Sequence, residues 1–134
     1  MFNKKYYKIP LDKFINSALY DPKKGYYMRT IPFGKQGDFV TSPNISNIFS
    51  EMIFIWIISY WKKFYKNKKI NVIELGGGNG EMLHQIIKSA KNFNFFFDNC
   101  NFFIYEKSQK IKLIQKTKLK NNKVKWLKDF KKLD

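Results

Sequence analysis

The hydrophobic positions of the first 69 residues follow a helical spacing. Apolar residues three and four apart predict an amphipathic helix over Leu11–Leu19. A second helix is predicted over 43–65, with Ser42 as its N-cap and a proline at its first position. Residues 52–61 of this helix are apolar nearly all round, and such a helix is normally buried on more than one side. The segment 20–41 carries prolines and glycines and predicts turns and loops.

From residue 70 onward, short β-branched and aromatic runs alternate with helical spacing. This pattern predicts strands over Ile70–Leu75, 101–105 and 124–127, and helices over 81–90 and 110–119. Strands that alternate with helices predict a parallel sheet with right-handed crossovers. We therefore expect an α/β fold in two parts, a helical extension over 1–69 and the first half of a doubly wound domain over 70–134.

The third predicted strand is followed by only a few residues. In a doubly wound sheet the first strand is central, and the ligand lies at its carboxyl end. No residues remain here to pair with the second edge of Ile70–Leu75, and proteins usually avoid an open, apolar edge. We therefore expect a fragment, the first half of a split protein, or a domain that another chain completes.

The strongest chemical signal is an acid followed by four glycines in five positions, between the first strand and a helix. Glycines let the backbone approach a ligand, and the free N–H groups of the helix face it. The spacing is neither that of a P-loop nor the full dinucleotide signature. An acid at this point suits a ligand with a positive or hydroxylated end, such as S-adenosylmethionine (SAM). The alternative is a plain strand-to-helix turn. The candidate cofactor residues are Glu74, Gly76, Gly77, Gly78 and Gly80.

A second acid, Glu106, closes the second predicted strand 30 residues after Gly76. A carboxylate at that position can accept hydrogen bonds from both ribose hydroxyls, as in Rossmann-like adenosine sites. The alternative is a surface acid at the end of a strand. Because the glycine turn and Glu74 precede it, we favour ribose binding.

Composition restricts the remaining classes of function. The net charge of +16 raises a nucleic-acid-binding module as an alternative, but Arg29 is the single arginine, and arginine is favoured where phosphates or bases are recognised by a fork of donors. One cysteine and one histidine leave no material for a disulfide or a Cys/His metal site, so no metal is expected. The most apolar run is too short to span a bilayer, and neither a signal nor a transit peptide is recognised. We expect a bacterial-type, cytoplasmic protein.

Several short motifs occur together in an order that one known family shares. They are Ala18–Pro22, Gly25–Tyr27, Gly37–Pro43, Ile45–Ser46, Glu74–Gly80, and Glu106 followed by Ser108, Ile111, Gln115 and Leu119. In these motifs the chain resembles the SAM-dependent methyltransferases of the MidA type, a group that includes a mitochondrial complex I assembly factor acting on arginine. The resemblance runs almost end to end.

The resemblance implies a Rossmann-like methyltransferase fold with SAM as cofactor. It also implies a protein substrate, an arginine of a respiratory complex I subunit. A guanidinium pocket needs carboxylates, so Asp38 is the candidate for orienting the substrate, with a turn-stabilising Asp as the alternative. Thr41 and Ser42 are candidates for the substrate-side entrance, although Ser42 also suits a plain helix cap.

The chain departs from the family pattern at a few positions. Asn44 stands where the family has Glu, and Asn79 stands where it has Arg; Gly77 and Ser50 replace Pro and Gly. Family members are also considerably longer. These differences leave open a non-catalytic remnant or an assembly chaperone that binds SAM or a partner without turnover.

Overall fold

The computed structural model describes residues 8–34, 37–65, 68–120 and 122–129, and these form three parallel strands with helices between them. The strands lie in the order β1-β2-β3. The helices are α1 (Leu11–Tyr20), α2 (Tyr26–Arg29), α3 (Ser42–Ile45), α4 (Asn47–Tyr60), α5 (Glu81–Ala90), α6 (Asn94–Asp98) and α7 (Gln109–Lys118). The strands are β1 (Ile70–Leu75), β2 (Cys100–Tyr105) and β3 (Val124–Leu127).

The predicted α/β class and the parallel order of the strands are confirmed. The first strand and the helix after the glycines have the predicted bounds, and β2 begins one residue earlier than expected. β1 pairs on one side only, with β2, so its other edge carries no strand among the described residues. The division of the chain at residues 69 and 70 stays a prediction.

The single helix expected over 43–65 is wrong. Ser46 has an extended backbone that ends α3, and its hydroxyl accepts a hydrogen bond from the Ile48 N–H, which caps α4. A serine side chain can bond to nearby backbone in this way and so competes with a continuous helix. The N-cap of α3 is Thr41 rather than Ser42, so the predicted capping role of Ser42 is also wrong. α4 leads into a π-helical turn over Trp61–Tyr65.

One face of the sheet is packed under helices, and we call it the covered face. On β2 it consists of Cys100, Phe102 and Ile104, each at most 1% exposed. Side chains of α4, α5 and α6 pack on this face and form the hydrophobic core with it. The glycine turn at the end of β1 leads directly into α5, one of the helices that cover this face.

The opposite side of the sheet, which we call the open face, carries Asn71, Ile73 and Leu75 of β1 together with Asn101, Phe103 and Tyr105 of β2. Leu75 is 63% exposed there. α4 shows the same division, since Phe54 is buried whereas Trp56 is 64% exposed. The expectation that this helix is buried on more than one side is therefore wrong within the described residues.

Candidate cofactor site

The backbone of the turn after β1 explains its glycines. Gly76, Gly78 and Gly80 all have positive φ, at 69°, 51° and 82°. L-residues with a Cβ rarely adopt this conformation, whereas glycine does so without strain. The Gly80 N–H donates to the Gly77 carbonyl at 2.7 Å, which closes the turn, and the next residue begins α5. The turn thus presents bare backbone beside the start of a helix, as the sequence predicts.

Two small cavities lie against this turn, with Phe33 and two glycines lining both. The first, of about 150 Å³, is lined by Glu74 and Thr41 among others. The second, of about 120 Å³, is lined by Glu106 and Tyr27 among others. The shared lining residues are Phe33, Gly76 and Gly78. A Cβ on Gly78 would lie 3.8 Å from the Phe33 ring, so a side chain there would fill the space between the cavities.

The Glu74 side chain is partly buried at this turn, and its Oε2 atom is fully buried. Among the described residues no hydrogen-bond partner reaches its Oε2 atom. Burial, together with the smaller effect of the neighbouring Glu106 carboxylate, raises the pKa of Glu74 to about 7. A Cβ on Gly77 would lie 2.9 Å from Oε2, so glycine at that position leaves room for the carboxyl group. An unpaired buried carboxyl beside a glycine cradle fits a ligand with a cationic donor.

Glu106 is also buried, but it has donors. Its carboxylate accepts from the Ser108 N–H at 2.8 Å and from the Gln115 amide at 3.3 Å. The same amide donates to the Gly78 carbonyl at 3.0 Å, and its oxygen accepts from the Trp126 indole at 2.9 Å. Gln115 therefore joins the glycine turn to Glu106 and to β3. Sequence reasoning noted Gln115 as part of a motif but gave it no role.

A chain of polar side chains links the start of α3 to the start of α5. Asn79 donates to Asn44 at 2.7 Å, and Asn44 donates to the Thr41 hydroxyl at 2.7 Å. The Asn79 oxygen in turn accepts from the Glu81 N–H at 3.2 Å. The two positions at which the resemblance expects Glu and Arg are thus in direct contact. A neutral amide pair occupies the place of two opposite charges, so both departures fall on one contact.

The remaining substrate-side candidates have different surroundings. Thr41 lines the first cavity, whereas Ser42 is exposed and Asp38 lines neither of the two cavities. Asp38 accepts a hydrogen bond from the Tyr26 hydroxyl, and this bond raises the pKa of Tyr26 to about 12. The structure therefore brings the glycines, Glu74, Glu106 and Thr41 together. The roles of Asp38 and Ser42 stay predictions.

Phe33 is the lining residue that sequence reasoning missed. Its ring stacks on Tyr27 at a centroid distance of 6.2 Å and faces both cavities. The only signal for it in the sequence is its position between Pro32 and Gly34 in a loop. Among the described residues, no group of three or more His, Cys, Asp or Glu side chains could hold a metal ion. Nor does any described helix combine the length and apolar character needed to cross a bilayer.

Solved structures share the fold. A crystal structure from Burkholderia thailandensis, of a protein bound to S-adenosyl-homocysteine, superposes with a TM-score of 0.76 at 23% sequence identity. The superposition covers 90% of this chain and 33% of that one. A native crystal structure from the same organism gives a TM-score of 0.68 at 22% identity, covering 91% of this chain and 31% of that one. The truncated, Rossmann-like methyltransferase fold is thereby confirmed.

Curated relatives carry the name protein arginine methyltransferase NDUFAF7, mitochondrial. The Xenopus laevis protein is 38% identical over 113 residues, which are 83% of this chain and 26% of the relative. The Homo sapiens protein is 36% identical over 118 residues, which are 87% of this chain and 27% of the relative. The chain thus spans about a quarter of the length of these relatives.

These relatives correct one expectation. The bacterial-type, cytoplasmic location expected from the sequence is wrong, because the curated proteins that match are named as mitochondrial. The expectation rested on the sequence pattern alone, in which no transit peptide is recognised. A targeting segment is separate from the fold that follows it, so the fold gives no evidence about location.

The match to a family extends over the second half of α4 and everything after it. Residues 52–134 match the model of a family described as S-adenosyl-L-methionine-dependent methyltransferases. The matched segment contains β1, the glycine turn, Glu106 and Gln115, so it includes the hydrogen bonds by which Gln115 joins the turn to Glu106. The match spans more than half of the chain, and the chain belongs to this family of SAM-dependent methyltransferases.

Proposed function

We propose that this chain holds SAM at the glycine turn and contributes the cofactor half of a protein arginine methyltransferase. The observation that carries the proposal is the buried Glu74 Oε2 atom, which has no partner among the described residues and faces the glycine cradle. A carboxylate in such a place has to be paired or protonated. The ammonium group of SAM is a partner of the right charge.

The two cavities divide the cofactor between them in this proposal. The cavity with Glu74 takes the amino-acid end, and the cavity with Glu106 takes the ribose, whose hydroxyls donate to the carboxylate. Gly76 and Gly78 line both, so a ligand that crosses from one to the other passes the bare backbone. Gln115 fixes the Glu106 carboxylate relative to the glycine turn, because its amide donates to both.

The reaction requires little covalent chemistry from the protein. Bound SAM supplies an electrophilic methyl group, and a substrate nitrogen attacks it in line. The chain contributes positioning and charge complementarity. In the proposal, Thr41 and Ser42 lie at the substrate entrance and Asp38 orients the guanidinium. Tyr26 holds the Asp38 carboxylate ready by donating its hydroxyl hydrogen.

The substrate follows from the relatives. Proteins that are 38% and 36% identical to this chain over 113 and 118 of its residues are named protein arginine methyltransferases. We propose an arginine side chain of a protein as the methyl acceptor. A respiratory complex I subunit, which the resemblance to the MidA type implies, is the first acceptor to test.

A further polypeptide completes the site in this proposal. Parallel sheets normally have both faces covered, and here the open face and the free edge of β1 remain. The relatives are about four times as long as the matched segment. The segment that corresponds to their remainder would add a strand to β1 and helices across Ile73 and Leu75.

The cofactor assignment is tested by filling the cradle. Gly78→Ala places a methyl group between the two cavities, whereas Gly34→Ala imposes the same kind of positive-φ backbone where nothing lies within 4 Å. Calorimetry with S-adenosyl-homocysteine should show binding weakened at least tenfold in the first variant and nearly unchanged in the second. Glu106→Gln should also lose at least tenfold, because charge-assisted hydrogen bonds contribute roughly 1.5–3 kcal/mol each. Equal affinity in all four proteins would contradict the assignment.

A non-catalytic SAM-binding remnant is the second candidate, because the chain spans only about a quarter of its relatives. Labelled SAM and a complex I subunit distinguish the two. We expect methyl transfer by the 134-residue chain only when the remaining segment is supplied in trans. Binding without transfer under both conditions would identify the remnant.

A further inference from the structure

The two buried carboxyl groups of the cofactor site are not equivalent. Glu106 has two donors, the Ser108 N–H and the Gln115 amide. Glu74 lies close enough to Glu106 to be acted on by its charge, yet its Oε2 atom has no donor among the described residues. Burial and a second carboxylate both disfavour the ionised form of a carboxyl group. Glu74 therefore keeps a proton to a higher pH than an ordinary glutamate as long as no cation lies beside it.

We propose that Glu74 releases its proton when an ammonium-bearing ligand binds at the glycine turn. The site thus binds the cationic end of the cofactor in exchange for one proton. The inference rests on the proposed cofactor site and adds a proton to its binding equilibrium. Before binding, the proton neutralises Glu74. After binding, the ammonium group provides the positive charge, and the proton leaves to the solvent.

The groups around Glu74 on the described elements leave no other cation to do this. Glu106, at the end of β2, is an anion, and Tyr20 and Tyr27 of the N-terminal segments face Glu106. On α5, Glu81 lines the same cavity as Glu74. Lys118 of α7 forms a salt bridge with Glu81, and His84 interacts electrostatically with Glu81. Gln115, between Glu74 and Glu106, carries no charge.

The size of the effect follows from the titration of Glu74. Its pKa is raised to about 7 in the free protein by burial and by Glu106. If the ammonium lowers that pKa well below 6, binding releases roughly 0.9 proton at pH 6, about 0.5 at pH 7 and about 0.1 at pH 8. The affinity should therefore fall by up to about tenfold per pH unit below 7 and should level off between pH 7 and 8.

Calorimetry in pairs of buffers measures this proton directly. S-adenosyl-homocysteine is titrated into the 134-residue chain at pH 6.5, once in phosphate and once in Bis-Tris, which differ in ionisation enthalpy. The apparent binding enthalpy should differ between the buffers by an amount that corresponds to more than half a proton released. 5′-Methylthioadenosine lacks the ammonium group and should give the same enthalpy in both buffers.

Variants identify the carboxyl group. Glu74→Gln keeps the size but has no proton to lose, so the buffer difference should vanish while circular dichroism stays the same. His84→Gln removes the histidine of α5 and should keep the difference. Burial is the larger cause of the raised Glu74 pKa, and Glu106→Gln removes the smaller one, the neighbouring charge. Less proton should therefore be released at pH 6.5, and the ligand should still bind, although more weakly.

The outcomes separate the two proposals. Binding of S-adenosyl-homocysteine with equal enthalpies in both buffers would contradict the proton release and leave the cofactor assignment standing. A buffer difference that survives Glu74→Gln, or one that His84→Gln abolishes, would assign the proton elsewhere and would overturn the inference. No heat of binding in any buffer would contradict the cofactor site itself, and the inference with it.

Discussion

The two faces of the sheet have the same kind of sequence and opposite surroundings. Phe102 and Phe103 are neighbours on β2, and Phe102 is 1% exposed under the helices, whereas Phe103 points to the open face and is only partly buried. On the covered face, the side chains of β1 end in Glu74 beside the glycine turn and its polar contacts. On the open face, they end in Leu75, which is exposed. A parallel sheet normally needs both faces covered.

This difference separates the side of the sheet that has a core from the side that has no cover among the described residues. Side chains of α4, α5 and α6 pack on one side of the sheet and form the hydrophobic core there, and α5 begins directly after the glycine turn. What the other side needs is apolar cover rather than a ligand-binding group. The difference between the faces can therefore be tested by stability, separately from any activity.

The largest expected effect is on the covered face. Phe102→Ala should lower the free energy of unfolding by about 3–5 kcal/mol, because it removes a fully buried ring and leaves a cavity. Phe103→Ala, on the adjacent position of the open face, should cost less than half as much. Urea denaturation followed by circular dichroism measures both. Equal losses would mean that the two faces are packed alike.

Glu74 is the acid at the end of the β1 row that lies on the covered face, and its burial should reduce stability at high pH. Its folded-state pKa is raised to about 7 above the ordinary value of 4.5, so the protein is most stable with respect to this group below pH 4.5 and loses stability as the pH rises to 7. Glu74→Gln should therefore raise the free energy of unfolding at pH 8 by roughly 1–3 kcal/mol, and by nearly nothing at pH 4. Denaturation curves of both proteins at the two pH values provide the measurement. A variant that is less stable at pH 8 would show that the carboxylate is paired.

The contact between Asn79 and Asn44 lies at the rim of the covered side and should contribute less. Each single change to Ala should cost about 1 kcal/mol, and the two should be coupled by roughly 0.5–1.5 kcal/mol in a double-mutant cycle. Asn44→Glu combined with Asn79→Arg restores the charges that the family pattern has at these positions and should be tolerated better than either change alone. Additive effects would show that the two amides act independently.

The smallest effect on stability is expected on the open face. Leu75→Lys should change the free energy of unfolding by less than about 0.5 kcal/mol, because the side chain is already 63% exposed. It should nevertheless reduce self-association, measured as mass by light scattering, because it places a charge beside the free edge of β1. Ile104→Lys on the covered face should abolish folding. If Leu75→Lys also unfolds the chain, the open face is buried in solution.

The features that could be predicted from the sequence are those with a local cause. β1 and the turn after it follow from a β-branched run that ends in glycines, and each of the three positive φ angles falls on one of those glycines. The break at Ser46 was missed because an apolar pattern continues across it, and only a side-chain bond to Ile48 stops the helix. The exposed side of α4 was also predicted wrongly. Apolar residues on every side of a helix indicate burial, but they do not show whether the residues that cover each side belong to the same chain.

Contacts between distant residues were beyond prediction for a different reason. Asn44 and Asn79 are 35 residues apart, and the resemblance marks each as a separate departure, whereas the fold makes them one contact. Gln115 lies 37 residues from the Gly78 carbonyl to which it donates. Pattern and propensity are local quantities, so neither pairing could be derived from them. The chemistry of Glu74 could be inferred, but its lack of a partner required the structure.

The hydrogen bond between the Trp126 indole and the Gln115 amide gives this site an optical signal of its own. Indole emission responds to the polarity and hydrogen bonding of the ring, and this ring is one amide away from both Gly78 and Glu106. Of the other two tryptophans, Trp56 is 64% exposed and can be replaced by Phe, whereas Trp61 is buried in the core, donates to the Lys68 carbonyl and stays as a constant background. In that background the quantum yield of Trp126 would follow the cofactor site in real time, and stopped-flow mixing would resolve how fast a ligand enters.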